Sequence, residues 1–338
     1  MKTRENVFRK ISRQQEFGVA MILIGIVALF SILRPAFLSQ ENIYSLLKTL
    51  AFTGIVAVGE TLIILAGDID ISVGSTAGLG AIVSTMMMME WNCFGLLGTP
   101  AEWVGVLICI ILGVVICSAV GFINAILIVN IKLPAFIATI ATLNAVRGVV
   151  NVLTNGVPVY PLPETFMNGL GPAQIRFSEA GGLSLSFLLF VGLVIGFEFV
   201  LRKTTFGRNI YATGSNIHVA KLSGINTNRV RFYNFIITAM LSGLAGVLVA
   251  AFTKQGYPPI GNSWELQVIA GTVIGGISLK GGTGSMIGTF IGVIIINALN
   301  TGLVMLGINT FIQTSLQGLM ILVAVYIDLL RKNQKIKT

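Results

Sequence analysis

Long apolar runs alternate with short polar breaks along the whole chain, and few charges fall inside the runs. A helix that crosses a bilayer needs about 20 mostly apolar residues. Hydropathy and its breakers predict ten such segments, near 18–33, 45–66, 71–89, 104–129, 134–153, 184–201, 232–252, 267–279, 284–306 and 310–330. The eighth is short enough to cross only part of the bilayer. The expected fold is all-α: one polytopic membrane helical bundle over residues 1–338, with about ten transmembrane segments.

Composition agrees with the pattern. Of 338 residues, 54% are hydrophobic and 10% charged, and the mean hydropathy is +0.89. Soluble domains carry roughly a quarter charged residues. The 39 glycines suit close helix packing and helix breaks within a membrane. The basic N-terminus followed by the apolar run 18–33 has the charge pattern of a signal sequence. It lacks a small-residue cleavage site before Arg34 and Pro35, so a retained first span is expected.

Charge orients the bundle. With the N-terminus in the cytoplasm, seventeen Lys and Arg fall inside against four outside (Arg34, Lys48, Arg176 and Lys254), and Arg147 lies within the fifth segment. This asymmetry predicts an even number of crossings with both termini cytoplasmic. It also accounts for the net charge of +9 without nucleic acid, the basic tails lying near anionic lipid. The longest loops, 154–183 outside and 202–231 inside, are too short to bury a core of their own.

Much chemistry is excluded. No phosphate-binding loop of the G-x-x-x-x-G-K-[ST] kind occurs, so the chain is not expected to hydrolyse ATP by itself. One histidine, His218, argues against a His-based metal cluster or catalytic triad. In "LAGDIDISVGS", a calcium loop starting at Asp68 would need glycine and glutamate where Val73 and Leu79 stand. The three cysteines, Cys93, Cys109 and Cys117, are scattered as packing residues are. No cofactor and no metal are expected.

Three features remain. In the loop 202–231 a short helix is predicted from Ser215 or Asn216 as N-cap to Gly224 just past its end, with Ile217, Ala220 and Leu222 apolar and His218 and Lys221 polar. Such a helix either lies on the membrane or is presented to a partner protein. Charges within spans, Glu60 and Arg147 above all, take a functional reading by default because they are costly in hydrocarbon. Asn124, Asn144, Asn297 and Asn300 line a path or, more simply, join helices. Glu198 and Asp328 sit beside basic residues and are expected to pair locally. Finally, "AGDIDISVGST" at 66–76 echoes "IGGISLKGGTG" at 274–284, each joining two apolar segments. A duplicated pair of broken helices would explain this; shared turn composition is the simpler account.

Four blocks in order, "GETLIILAGDIDISVGS", "PAFIATIATLNAVRGV", "FGRNIYATGSNIHVAKLSGIN" and "WELQVIAGTVIGGISLKGGTGSMIGTFIG", resemble the permease subunits of bacterial ABC importers for ribose, xylose, arabinose, galactose and related sugars. The resemblance runs from about 37 to 330. It implies a non-catalytic transport subunit in the cytoplasmic membrane, paired with a second permease chain, identical or not, and working with a cytoplasmic ATPase and an extracytoplasmic sugar-binding protein. It makes the 216–223 helix the coupling helix, with Asn216, His218, Ala220, Lys221, Leu222 and Gly224 as its ATPase-coupling residues. Asp70, Ser72, Gly74, Gly275, Gly276, Gly281 and Gly282 match the structural motifs, and Asp70 and Ser72 are expected to cap the third segment. Glu60, Asp68, Asn144, Arg147 and Gln267 are the candidates for the translocation path. The chain departs from the pattern at Asp68 (usually glycine), His218, Val219, Gln267, Gly271 and Ile277. A permease for another small polar solute, such as branched-chain amino acids, is the nearest alternative, and an ion-coupled secondary carrier using Glu60, Asp68 and Asp70 is the next.

Overall fold

The computed structural model describes residues 15–170, 174–178, 181–309 and 311–316, with residues 318, 319, 322 and 326 singly. Apolar stretches form helices throughout: α1 (Gln15–Leu33), α2 (Gln40–Leu65), α3 (Val73–Glu90), α4 (Glu102–Ala125), α5 (Ala135–Thr154), α6 (Glu164–Gly169), α7 (Leu185–Lys203), α8 (Thr205–Ser215), α9 (Ile217–Leu222), α10 (Thr227–Thr253), α11 (Trp264–Ile274) and α12 (Met286–Met305). Among the described residues seven helices are long and apolar enough to span a bilayer. Helix α3 has the length, but its glycine, serine and threonine content makes it less apolar, and it is mostly buried among its neighbours. Helix α11 has 11 residues, about 16 Å at the usual helical rise, so it crosses only part of a bilayer. The expected tenth segment is helical over 311–316, and most of the rest of it, Asp328 included, lies outside the described residues, as do residues 1–14.

Helices α2 and α10 are the centre. Every residue from Leu50 to Leu65 is buried, whichever way its side chain points, so α2 is enclosed by protein on all sides. Helix α10 packs against α2, α3 and α4, and α12 packs against α1, α2 and α11. Polar pairs tie these helices: the Thr61 and Thr289 hydroxyls are 2.7 Å apart, and Asn297 donates to Thr53 at 3.2 Å. The cysteines are free and buried, Cys93 and Cys109 in one apolar cluster and Cys117 in another.

The described chain is a helical bundle as expected, and the loop 154–183 adds one short hairpin to it. Beyond α6, β1 (Gln174–Ser178) and β2 (Gly181–Ser184) pair antiparallel, and β2 runs directly into α7 through the Ser184 cap. Segment ends also shift. The third begins at Val73, after residues 66–72 run without helix, and the fourth ends in a π-turn over Ile126–Asn130. The 66–72 break needs partners inside the bundle, and those partners build part of the candidate site.

Candidate functional site

The loop from 204 to 231 is stiff because three side chains cap three consecutive helices. Thr204 accepts from the Gly207 amide at 3.2 Å at the start of α8. Asn216 accepts from the His218 and Val219 amides at 3.0 and 3.1 Å at the start of α9. Asn226 accepts from the Arg229 amide at 3.0 Å at the start of α10. Helix α9 ends in paired bonds, Gly224 N–H to Lys221 and Ile225 N–H to Ala220, each 3.0 Å, with Gly224 at φ 81°. This C-terminal motif needs a left-handed residue there, which glycine adopts without strain. A six-residue helix is marginal alone, so these caps and the buried Ala220 hold it. The opposite face, His218, Val219, Lys221 and Leu222, is exposed.

Beneath α9 the two echoing segments meet. The Gly282 amide donates to the Leu65 carbonyl at 2.9 Å, joining the 276–284 loop to the end of α2. Gly214, at the end of α8, is wedged between them: a Cβ there would strike the Leu65 carbonyl and come within 2.6 Å of the Gly282 nitrogen. Gly281 and Gly282 both have positive φ, while Gly275 is pressed against the backbone at Gly288. Tyr211 donates to the Gly284 carbonyl at 2.9 Å. Burial, with a smaller push from Glu198, holds the Tyr211 hydroxyl above its ordinary pKa, so it stays a neutral donor. Glu198 pairs with Arg202 and accepts from the Met286 amide at 3.0 Å at the start of α12.

The carboxylates of the 66–72 break have separate roles. Arg231 donates to Asp68 through Nε at 2.6 Å and through a terminal nitrogen at 2.7 Å, a two-pronged ion pair. Asp70 accepts from the amide and hydroxyl of Ser72 at 2.8 and 2.6 Å. It therefore holds the turn leading into α3 and reaches no amide within the helix's first turn; the Ser72 hydroxyl does not cap it either. The expected cap is thus replaced by an aspartate turn. The Asp70 amide donates to Glu60 at 3.1 Å, and Asn124 donates to the Ser72 hydroxyl at 2.9 Å. One carboxylate oxygen of Glu60 and the amide oxygen of Asn124 are buried without a partner.

The remaining path candidates do not converge on this cluster. Arg147 donates to the carbonyls of Pro258 and Ile260 at 2.6 and 2.9 Å, satisfying the irregular stretch before α11. That stretch crosses the start of α3 so closely that a Cβ on Gly74 or Gly261 would strike the other's backbone. Asn144 donates back to Ile140 at 3.0 Å and is exposed on α5, and Gln267 is half-buried on α11. Among the described residues no three His, Cys, Asp or Glu side chains gather as a metal site. At the opposite end of the bundle lies a cavity of about 580 Å³, lined in part by Met89, Thr99, Glu102, Trp103 and Glu164.

Sequence reasoning missed Arg231, which had counted only as a topology charge, and Tyr211 and Asn234, the last donating to Leu62 at 2.9 Å. Their partners lie at least 73 residues away in the chain, so no local signal pointed to them.

The family profile described as branched-chain amino acid transport system, permease component, matches residues 42–325. The ribose import permease protein of Bacillus subtilis is 37% identical over 93% of this chain and 92% of its own length. That of Haemophilus influenzae is 35% identical, over 95% and 94%. The L-arabinose ABC transporter permease protein of Azospirillum brasilense is 31% identical, over 99% and 92%. No solved structure matches the chain.

Proposed function

Because this chain belongs to the family of permease components of ABC-type import systems, a non-catalytic and multi-pass inner-membrane subunit, we propose that it carries a sugar or sugar-like solute inward while a separate subunit hydrolyses ATP. The relatives compared above are named for ribose and L-arabinose. That supports a sugar over the branched-chain amino acids in the family's own description.

The single observation that carries the mechanism is α9, a capped helix with exposed apolar side chains, seated through Gly214 on both broken segments. In this reading the whole chain is one permease domain, with about ten crossings and both termini cytoplasmic. Residues 202–231 form the cytoplasmic coupling loop and 154–183 the extracytoplasmic loop. Helix α9 enters a groove on the ATPase, with Val219 and Leu222 as apolar contacts and His218 and Lys221 beside them. Closure of the ATPase pair pushes α9, and the rigid α8–α9–α10 unit passes the displacement to the two breaks, shifting the bundle between inward and outward openings. A second permease chain completes the pathway, and an extracytoplasmic binding protein delivers solute. Glu60, Asp68, Asn144, Arg147 and Gln267 are the chain's candidates for influencing that pathway.

Affinity purification of the tagged chain with its co-expressed neighbours, followed by uptake of radiolabelled pentoses into proteoliposomes, tests the reading. An ATPase subunit that co-purifies and drives pentose uptake supports it. Loss of any ATPase association defeats it. One observation favours a second reading, an ion-coupled carrier: Glu60 is fully buried with one oxygen unpartnered. Dependence of uptake on ATP or on an ion gradient separates the two.

A further inference from the structure

The segment that carries α9 is tied to the break between α2 and α3 on both flanks of that helix. Upstream, Gly214 is packed against the Leu65 carbonyl with no room for a side chain. Downstream, near the start of α10, Arg231 grips Asp68 with bonds of 2.6 and 2.7 Å. The two attachments reach points only three residues apart on the same target, Leu65 and Asp68, while α9 projects between them. A lever fixed at one point pivots about it; a lever fixed at two carries its target along.

The geometry of the second tie suits this task. A guanidinium fork on a carboxylate sets orientation as well as distance. Asp68 is 8% exposed and the Arg231 side chain 17%, so salt screens the pair weakly. The break is in turn wired inward, through the Asp70 amide to Glu60 and through Ser72 to Asn124.

We infer that Asp68 and Arg231 are positioning residues for transport: their ion pair makes the α8–α10 unit and the α2–α3 break move as one body, so a displacement of α9 reaches the buried Glu60–Asp70–Asn124 network. The inference rests on the reading of α9 as the ATPase contact. It also gives Asp68, which stands where the resembling permeases usually carry glycine, a partner and a purpose.

The test uses the full chain in nanodiscs with its ATPase subunit. Cys93, Cys109 and Cys117 are replaced by alanine, and Ile71→Cys, half-buried in the break, serves as reporter. Maleimide labelling is compared with and without MgATP plus vanadate. In the wild-type pairing the labelling rate changes at least about fivefold, the lower end of ordinary allosteric coupling. D68N, D68R and R231D each reduce that change to within twofold while retaining the bound ATPase, since neither residue lies on α9. The exchanged pair D68R/R231D recovers most of it, which a merely structural loss would not do. D68N, nearly isosteric, reads the charge even where the reversals fail to insert. Single variants that keep the wild-type change, an exchanged pair no better than its parents, or an unresponsive reporter with ATPase bound each overturn the inference. Absence of ATPase from the wild-type complex overturns the functional reading itself, and the inference falls with it.

Discussion

Leu222 is 89% exposed, the most exposed of the large apolar side chains among the described residues, and it sits on a capped helix away from the spanning segments. If α9 seats in an ATPase groove, that side chain goes from water to protein on docking. Full burial of a leucine side chain contributes about 1.5–3 kcal/mol, and each 1.4 kcal/mol is about tenfold in affinity. Leu222→Ala retains one methyl, about 0.8 kcal/mol of that, so about 0.7–2.2 kcal/mol is lost and the ATPase should bind roughly 3- to 40-fold more weakly. The permease itself should lose almost nothing, because so exposed a side chain leaves no cavity and surface changes usually stay within about 0.5 kcal/mol. Leu222→Asp adds the cost of desolvating a charge and should abolish ATP-driven uptake with the protein still inserted. The assay is a titration of purified ATPase subunit against the permease in nanodiscs, paired with a thermal melt of the permease alone. A dissociation constant within twofold of wild type refutes the docking argument. So does a large drop in melting temperature, which would mean that Leu222 packs within the chain.

Other predictions follow from the packing. Arg147→Met leaves the Pro258 and Ile260 carbonyls without their donor, at about 1–3 kcal/mol for each unsatisfied group; the permease should melt clearly earlier, and an unchanged melt would show that other donors replace it. Thr61→Val and Thr289→Val, singly and together, should give a coupling of about 0.6 kcal/mol in a double-mutant cycle, the usual size for hydrogen bonds between membrane helices; additive effects would remove that pair from the account. The buried Cys93, Cys109 and Cys117 should resist maleimide in the folded protein and react after denaturation, and rapid labelling of the native chain would contradict their packing.

What could be read in the chain followed its range of interaction. The α9 helix was legible because its signals are local: Asn216 as cap and Gly224 as left-handed terminator lie within nine residues. The apolar runs were legible because bilayer thickness sets their length, and the shortness of the eighth run does appear as the partial helix α11. Asp68 resisted, because its partner Arg231 is 163 residues away and looked like one more cytoplasmic charge. Arg147 resisted for another reason: its partners are backbone carbonyls, and no residue type announces an orphaned carbonyl. The echo between 66–76 and 274–284 was visible as composition, yet composition did not reveal that the two segments touch through Leu65 and Gly282 with Gly214 between them. The hairpin of β1 and β2 was hidden in a loop too short and irregular for strand periodicity to show.

In the proposed mechanism ATP hydrolysed by a partner drives solute through this chain, by way of α9. Its most direct test is uptake of radiolabelled pentose into proteoliposomes holding the permease, its ATPase and its binding protein, with MgATP or an imposed proton or sodium gradient supplied in separate samples. Uptake with MgATP should survive an ionophore and disappear in Leu222→Asp if that mechanism holds. Uptake driven by the gradient without ATP, and indifferent to Leu222, would contradict it.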